Sequence, residues 1–407
     1  MRLARRVVQF AFVALTLVGV FVVRGNAERW CPFGGVEAAY TYYREGNLLC
    51  SLGVSNFYVA GAVLAAALVL RRAFCGYACP IGAISEWLQR AARRLGLRPA
   101  AVPYRIDRGL SLLKYGVLAV ILFATYRAGE LLFRGFDPCY ALVSRHGEDI
   151  TYWAYVVAGG IVVASLFVMM PFCRWLCPMA AVFHPFSRFA LTRIKRNDTT
   201  CSGCGKCARA CPMAIPVDQV RQVTAARCLS CMECIEVCPA TARGALTWGP
   251  PGPPARRWPQ GVVVGGLLAC LGGAVAAAWA IPIASFYHER GTRPSRTASV
   301  ELRVSGLTCR GSAALFEFFL DRRDEFEIPG YLRIEAWPAP DIGRARITFD
   351  PEQTDEEAIK RAITEAHYNP ADDRWRTSPF SIVGYDPLGL DLPEAPPVEP
   401  GASSRPG

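Results

Sequence analysis

Five apolar runs, at about residues 7–23, 54–70, 110–126, 152–171 and 261–283, constrain this chain more than any other feature of it. Each approaches the roughly 20 apolar residues that an α-helix needs to cross a bilayer. Lipid offers no partner for backbone N–H and C=O groups, so such runs satisfy their own and become helices. An α-helical membrane protein with about five transmembrane helices is therefore expected. The first run follows Arg2, Arg5 and Arg6 and precedes the small-residue stretch Gly25-Asn26-Ala27. That outline suits a signal peptide. The run is longer than a usual signal core and leads on to a second span, so an uncleaved helix is expected.

Charge sets an orientation. The net charge is +11, but residues 1–300 hold 33 Lys and Arg against 14 Asp and Glu, while residues 301–407 hold 12 against 20. Basic residues in short loops mark the cytoplasmic side. The loop 71–108 carries eight arginines, and Arg174, Arg188, Arg193, Lys195 and Arg196 follow the fourth run; loops 24–53 and 127–151 carry three arginines each. The N-terminus, loop 71–108 and residues 172–260 are thus expected inside the cell membrane, and a fifth span puts the acidic C-terminal part outside. Arg290, Arg293 and Arg296 argue mildly against that last step. With basic patches read as topology, nucleic-acid binding is unnecessary.

Seventeen cysteines are too many for core filler. Cys201, Cys204, Cys207 and Cys211 precede Pro212, and Cys228, Cys231, Cys234 and Cys238 precede Pro239, both as C-x2-C-x2-C-x3-C-P. Bacterial two-cluster ferredoxins use this run, with the fourth cysteine of each ligating the other cluster. By that rule one [4Fe–4S] cluster takes Cys201, Cys204, Cys207 and Cys238, and the second takes Cys228, Cys231, Cys234 and Cys211. Gly203 and Gly205 let the backbone approach and aim N–H groups at sulfur. A zinc ribbon needs only two C-x2-C pairs and neither proline, and a cytoplasmic segment disfavours disulfides.

A second pair of motifs stands at span ends: Cys75-Gly-Tyr-Ala-Cys79-Pro80 and Cys173-Arg-Trp-Leu-Cys177-Pro178, both C-x3-C-P. The first four runs look like two copies of one hairpin, each delivering a thiol pair to the same depth. If each motif is helical, its two sulfurs share one face. Three readings stand open for these four cysteines: a third iron–sulfur centre, a dithiol–disulfide couple, or structural helix ends.

On these motifs, residues 1–250 resemble the NapH/NosR-type membrane 4Fe–4S ferredoxin family. The resemblance implies electron relay between a quinol pool, a cytoplasmic donor or acceptor, and a redox partner protein. The more distant CcoG/RdxA/FixG-type proteins have similar motifs, an extracytoplasmic C-terminal domain and a link to copper reduction, which makes a copper-handling assembly factor the alternative. Trp30-Cys31-Pro32-Phe-Gly-Gly also looks like the family. Cys31, Cys50 and Cys139 are expected outside the membrane, two of them as a disulfide, and Cys270 is expected as a small apolar residue. His146 and His184 sit near span ends, where a haem or quinol ligand is conceivable; no C-x-x-C-H for c-type haem occurs. Lys114 and Glu130 are expected to snorkel.

The domain order expected is a four-helix membrane core at 1–190, a cytoplasmic two-cluster domain at 191–249, a proline-rich linker and fifth helix at 250–285, a small α+β domain at 297–387 and a disordered tail at 388–407. In the small domain, strands near 300–304, 331–337 and 344–349 and helices near 313–319 and 355–367 give the order βαββα, which suggests a ferredoxin-like sandwich. Gly306-Leu-Thr-Cys309-Arg-Gly-Ser312 resembles the G-x-T-C-x-x-C loop of heavy-metal-associated domains with Ser312 for the second thiol. Soft ions such as Cu(I) favour two thiolates, so Cys309 is left as a metal ligand only with outside help, or as part of an interaction module.

Overall fold

The computed structural model describes residues 2–22, 31–45, 54–98, 100, 102–128, 137, 151–252, 258–281, 283–322, 326–339, 341–369 and 374–385. The chain divides into two compact units, Met1–Ile283 and Ala284–Gly407.

All five apolar runs are helical. Leu3–Val22, Arg105–Arg127 and Gln260–Ala280 are long and apolar enough to cross a membrane. Ser55–Leu70 and Tyr152–Phe167 have 16 residues each. At 1.5 Å per residue that is about 24 Å, short of a hydrocarbon core of roughly 30 Å. The cause is local: Arg71 adopts φ 60° and Met170 φ 51°, so both chains leave helical geometry just before their C-x3-C-P motifs.

Ser55–Leu70 lies at the centre of the first unit, with Pro32–Glu45, Pro178–Arg188 and Gln260–Ala280 packed against it. Small residues make that possible: Val63, Ala66 and Ala67 are buried, and a Cβ on Gly35 would sit 2.4 Å from the Asn56 carbonyl oxygen. Two strands close the cysteine-rich segment. Strand β1, Arg193–Arg196, pairs antiparallel with β2, Leu246–Gly249, so its two ends meet. Trp248 is fully buried there and meets Trp258 edge-on at 5.8 Å.

The two four-cysteine runs fold alike. Left-handed backbone recurs two and four positions after each leading cysteine, at Gly203 and Gly205 and again at Ser230 and Met232. The first run uses glycine, which adopts that geometry freely. The second carries side chains there, at about 1–2 kcal/mol per residue; the position is conserved in geometry though not in residue type between the two halves.

The second unit is built on a five-stranded antiparallel sheet. Its strands are β3 (Phe286–Arg290), β4 (Ala298–Ser305), β5 (Leu332–Trp337), β6 (Ile342–Phe349) and β9 (Ser381–Ile382), in the spatial order β3-β5-β6-β4-β9. A separate hairpin joins β7 (His367–Asn369) to β8 (Arg374–Arg376). Helices Arg310–Leu320 and Glu356–Thr364 follow β4 and β6. Without β3, the neighbours are those of the split βαβ arrangement expected from the sequence. Alternation places Val300, Leu302, Val304, Ile334 and Ile347 inward with Phe316, Phe319 and Ile359, and leaves Glu301, Arg333, Glu335 and Arg346 on the other face. Asp355 caps the second helix, accepting from the Ala358 N–H at 2.8 Å. Phe286–Arg290, which lies between the expected fifth helix and the expected small domain, is an edge strand of that domain; its register on β5 comes from a non-local pairing.

Candidate iron–sulfur site

The thiols of Cys211, Cys228, Cys231 and Cys234 line one small cavity walled by Ile194, Met213, Val217 and Leu229. This is the set the exchanged-fourth-cysteine rule selects. Burial pushes Cys211 up to about 11 and Cys231 up to about 12, and Cys234 is raised by burial and by its three neighbours. The Arg5 charge opposes the shift at Cys231, while backbone N–H groups of Ile215 and Met213 point at the Cys211 sulfur. Sulfur ligands, N–H donors and an apolar shell together fit a [4Fe–4S] cluster, which supplies one-electron redox chemistry when bound. Thiols held protonated by burial would give up their protons to water on ligating a metal centre.

The other set is more open. Cys207 is buried and within electrostatic reach of Cys238, and Arg196 donates toward the Cys201 sulfur at 3.7 Å. Cys204 is exposed. Among the described residues no three His, Cys, Asp or Glu side chains converge on a point that one metal ion would fill.

The C-x3-C-P motifs converge as well. Cys75 is within reach of Cys79 and Cys177, and Cys173 of Cys177, Cys79 and Cys75. Burial holds all four thiols above their ordinary range, helped by neighbouring cysteines at Cys75, Cys173 and Cys177 and by Asp137 at Cys79, with Cys177 at about 12. The geometry differs from a shared helix face. Cys75 lies in the short helix Ala73–Tyr77 and Cys173 in the π-turn Phe172–Leu176, whereas Cys79 and Cys177 are the N-caps of Pro80–Arg94 and Pro178–Arg188. Proline suits the first helical position and cannot continue the helix before it, so the chain breaks between the paired cysteines. The backbone N–H groups of Gly82 and Ile81 then face the Cys79 sulfur and that of Ala180 faces Cys177, the positive ends of two helices turned on two thiols. Gly82 is obligatory: a Cβ there would lie 2.3 Å from the Cys75 carbonyl oxygen.

Arg72 faces this thiol set. Its side chain is 1% exposed, donates to the Ala180 carbonyl at 2.6 Å and lies within reach of Cys75, Cys177 and Cys173. Its backbone N–H donates to the Cys228 carbonyl at 3.2 Å. Around that bond the membrane motif sits directly on the ferredoxin loop. The Tyr77 hydroxyl donates to the Ser230 carbonyl at 3.2 Å, and Gly76 abuts Leu229.

Two buried ion clusters flank the contact. Arg5 bonds the Gly76 carbonyl at 3.1 Å, Glu86 at 2.5 Å and Glu233 at 3.1 Å, with Arg90 on both carboxylates. Opposite, Asp107 accepts from Arg174, from the Trp175 indole at 2.8 Å and from Arg227 at 2.5 Å. Glu233 and Arg227 bracket the Cys228–Cys231 loop, so both ends of it are pinned to the helices. Arg5, Arg72 and Arg174, counted from sequence as topology charges, are thus buried structural groups. Sequence reasoning missed Asp107, Glu86 and Arg5; Asp107 and Arg5 lie far along the chain from their partners Arg227 and Glu233, so no local signal marked them.

The remaining residues fall as follows. Cys31 is a free thiol pushed up to about 12 by burial and by Asp137, whose charge also raises Cys79 and Cys177. Cys31 therefore shares a neighbour with the C-x3-C-P thiols, which the topology reading had set at the other membrane face. Cys50, Cys139, His146 and Glu130 lie outside the described residues. Lys114 is 4% exposed and does not snorkel to solvent. Cys270 is half-buried in Gln260–Ala280. Cys309 is exposed at the N-cap of Arg310–Leu320, and N–H groups of Ser312 and Gly311 lower its thiol. The Ser312 hydroxyl is spent on the Thr308 and Cys309 N–H groups.

Sequence comparison gives the context. A 4Fe-4S binding domain family matches residues 52–98 and 150–197, the two C-x3-C-P hairpins, and a 4Fe-4S dicluster domain family matches residues 193–239. The chain is 30% identical over 232 residues to YccM of Escherichia coli, covering 54% of this chain and 64% of that one. It is 28% identical over 220 residues to the ferredoxin-type protein NapH of Haemophilus influenzae, covering 52% and 74%. With the regulatory protein NosR of Pseudomonas aeruginosa it shares 30% over 159 residues, covering 38% and 22%. No solved structure matches. Through these residues the chain is similar to the NapH/NosR-type 4Fe–4S proteins, and the segments that match are 4Fe-4S binding domains.

Proposed function

We propose that this chain is a membrane-bound relay that passes single electrons between a quinol or cytoplasmic donor and a redox partner at or across the membrane. Two [4Fe–4S] clusters, on Cys201, Cys204, Cys207 and Cys238 and on Cys228, Cys231, Cys234 and Cys211, form its soluble arm. Cys75, Cys79, Cys173 and Cys177 hold a third iron–sulfur centre. All five apolar helices cross the membrane, the ferredoxin segment faces the cytoplasm and the C-terminal unit lies outside as an interaction module. The observation that carries the reading is Arg72. One residue bonds the Cys228 carbonyl through its backbone and faces Cys75, Cys177 and Cys173 with its guanidinium, so it touches both cysteine motifs.

Copper handling is the weaker reading, because the hydroxyl at the second ligand position of the Cys309 loop caps a helix and offers no soft donor. The test is iron and sulfide analysis with low-temperature EPR on anaerobically purified protein. About twelve irons in the parent and about eight after Cys→Ser at 75, 79, 173 and 177 are expected. Equal iron in both removes the third centre, and no cluster signal in fully loaded protein removes the relay.

A further inference from the structure

We infer that Arg71 is the permanent counter-ion of the cluster on Cys211, Cys228, Cys231 and Cys234, the charge that lets this site take an electron without taking a proton. This rests on the relay reading and adds to it what sets the potential of one cluster.

Arg71 caps the apolar helix Ser55–Leu70 at its C-terminal end and is 1% exposed. Its backbone is held at φ 60° and ψ −142°, a geometry that a residue with a Cβ adopts only under constraint. The constraint is a clasp around Cys228. The Arg72 N–H donates to the Cys228 carbonyl at 3.2 Å, and the Ala225 carbonyl accepts from the Cys228 N–H at 3.1 Å and from Arg71 Nη1 at 2.9 Å. Arg71 Nε donates to the Thr192 carbonyl at 2.8 Å, while Nη2 is buried with no hydrogen-bond partner.

These bonds satisfy donors but leave the charge uncompensated, because each acceptor is a neutral carbonyl. Among the described residues no carboxylate pairs with Arg71: Arg193 and Arg188 repel it, and the Cys228 sulfur is the one group that attracts it. A buried cation in that position is costly, and a guanidinium cannot shed its proton to escape. The protein thus fixes a positive charge beside a ligand thiol and leaves its compensation to what that thiol binds. A [4Fe–4S] core on four thiolates is a net anion, and accepting one electron from the relay's donor adds one negative charge, with no bond made or broken. In a cavity walled by Ile194, Met213, Val217 and Leu229, water screens little of Arg71's attraction for that added charge, so the reduced state is favoured. The other cysteine set differs. There Arg196 is engaged by Asp198 at 2.6 Å, and Lys206 beside Cys204 is exposed, so water and salt screen both cations.

The test is potentiometric EPR on the full chain in lipid nanodiscs, with iron content reporting cluster assembly. Arg71→Met and Arg71→Gln should each lower the reduction equilibrium of one ferredoxin cluster at least tenfold, about 59 mV for a one-electron couple, and leave the other in place. Arg71→Lys, which keeps the charge, should return most of that shift, and Arg94→Met, at an exposed arginine, should move neither cluster. In the parent the potential of the cluster that Arg71 serves should stay level with pH, because the arginine remains charged throughout. That measurement needs no variant and stands even where the neutral substitutions fail to hold iron. A parental potential falling by about 59 mV per pH unit, one proton per electron, would overturn the counter-ion. So would unchanged potentials in the iron-loaded neutral variants, equal shifts of both clusters, or a lysine variant displaced as far as the methionine one. Each of these leaves the relay standing. A fully loaded parent without cluster signals would end both.

Discussion

Gly82→Ala isolates the paired thiol site from the rest of the protein. The added Cβ would stand 2.3 Å from the Cys75 carbonyl oxygen and 3.2 Å from the Met170 Cε. The methionine end can swing away; the carbonyl cannot, because it belongs to the short helix seated on the ferredoxin loop. A carbon and an oxygen rest at roughly 3.3–3.6 Å even in a favourable contact, so the helix Pro80–Arg94 must retreat by about 1 Å and carry with it the N–H groups that face Cys79. Overpacking of this kind costs about 1–3 kcal/mol. In a unit of this size that lowers Tm by about 2–4 °C per kcal/mol. Iron analysis should show loss of the centre on Cys75, Cys79, Cys173 and Cys177 with the two ferredoxin clusters retained. Gly116→Ala, at a helical glycine whose Cβ meets nothing within 4 Å, is the control and should be neutral or stabilising by up to about 1 kcal/mol. Gly82→Ala protein with the Tm and iron content of the parent would refute the reasoning, since the contact leaves no room for a methyl group without movement.

Three further outcomes are expected. Asp107→Ala strands the buried Arg174 and frees Arg227 beside Cys228, at about 3–5 kcal/mol for breaking a buried ion cluster; limited trypsinolysis should then cut at Arg227, which is protected in the parent. Arg5→Met removes the positive charge facing Cys231, so potentiometric EPR should show the Cys211–Cys234 cluster moving to lower potential with the other cluster unmoved. In the C-terminal unit, N–H groups of Ser312 and Gly311 and the Ser312 and Thr308 hydroxyls lower the Cys309 thiol, so thiolate is present below the ordinary thiol range and iodoacetamide labelling should persist as pH falls through 8. Ser312→Ala, without its capping bonds, should shift that profile to higher pH and cost about 1 kcal/mol in the helix.

Much of this protein is legible one residue after another. Apolar runs long enough for a bilayer become helices because lipid satisfies no backbone group. The repeated C-x2-C-x2-C-x3-C-P spacing points to iron–sulfur binding, which the 4Fe-4S dicluster family match supports, and an exchanged fourth cysteine is what the same rule expects. Alternation at Val300–Val304 marks a strand because side chains along a strand point to opposite faces. What the spacing of C-x3-C-P could not reveal is that its two cysteines sit on different helices. Proline starts a helix and stops the preceding one, but whether the pair stays together depends on what packs across the break.

The tertiary structure decided the rest, because it depends on contacts between residues far apart in the chain. Arg5 meets Glu233, Asp107 meets Arg227, and the Arg72 N–H finds the Cys228 carbonyl. No local pattern encodes those encounters. Read along the sequence, these arginines are charges that mark a membrane face; only folding desolvates them, and a desolvated guanidinium must be paired or aimed at something negative. From the sequence alone this chain is a membrane protein with iron–sulfur cysteines. The fold brings its two kinds of cysteine motif together, since buried charge and a backbone hydrogen bond hold Arg72 against Cys228, more than a hundred residues further along the chain.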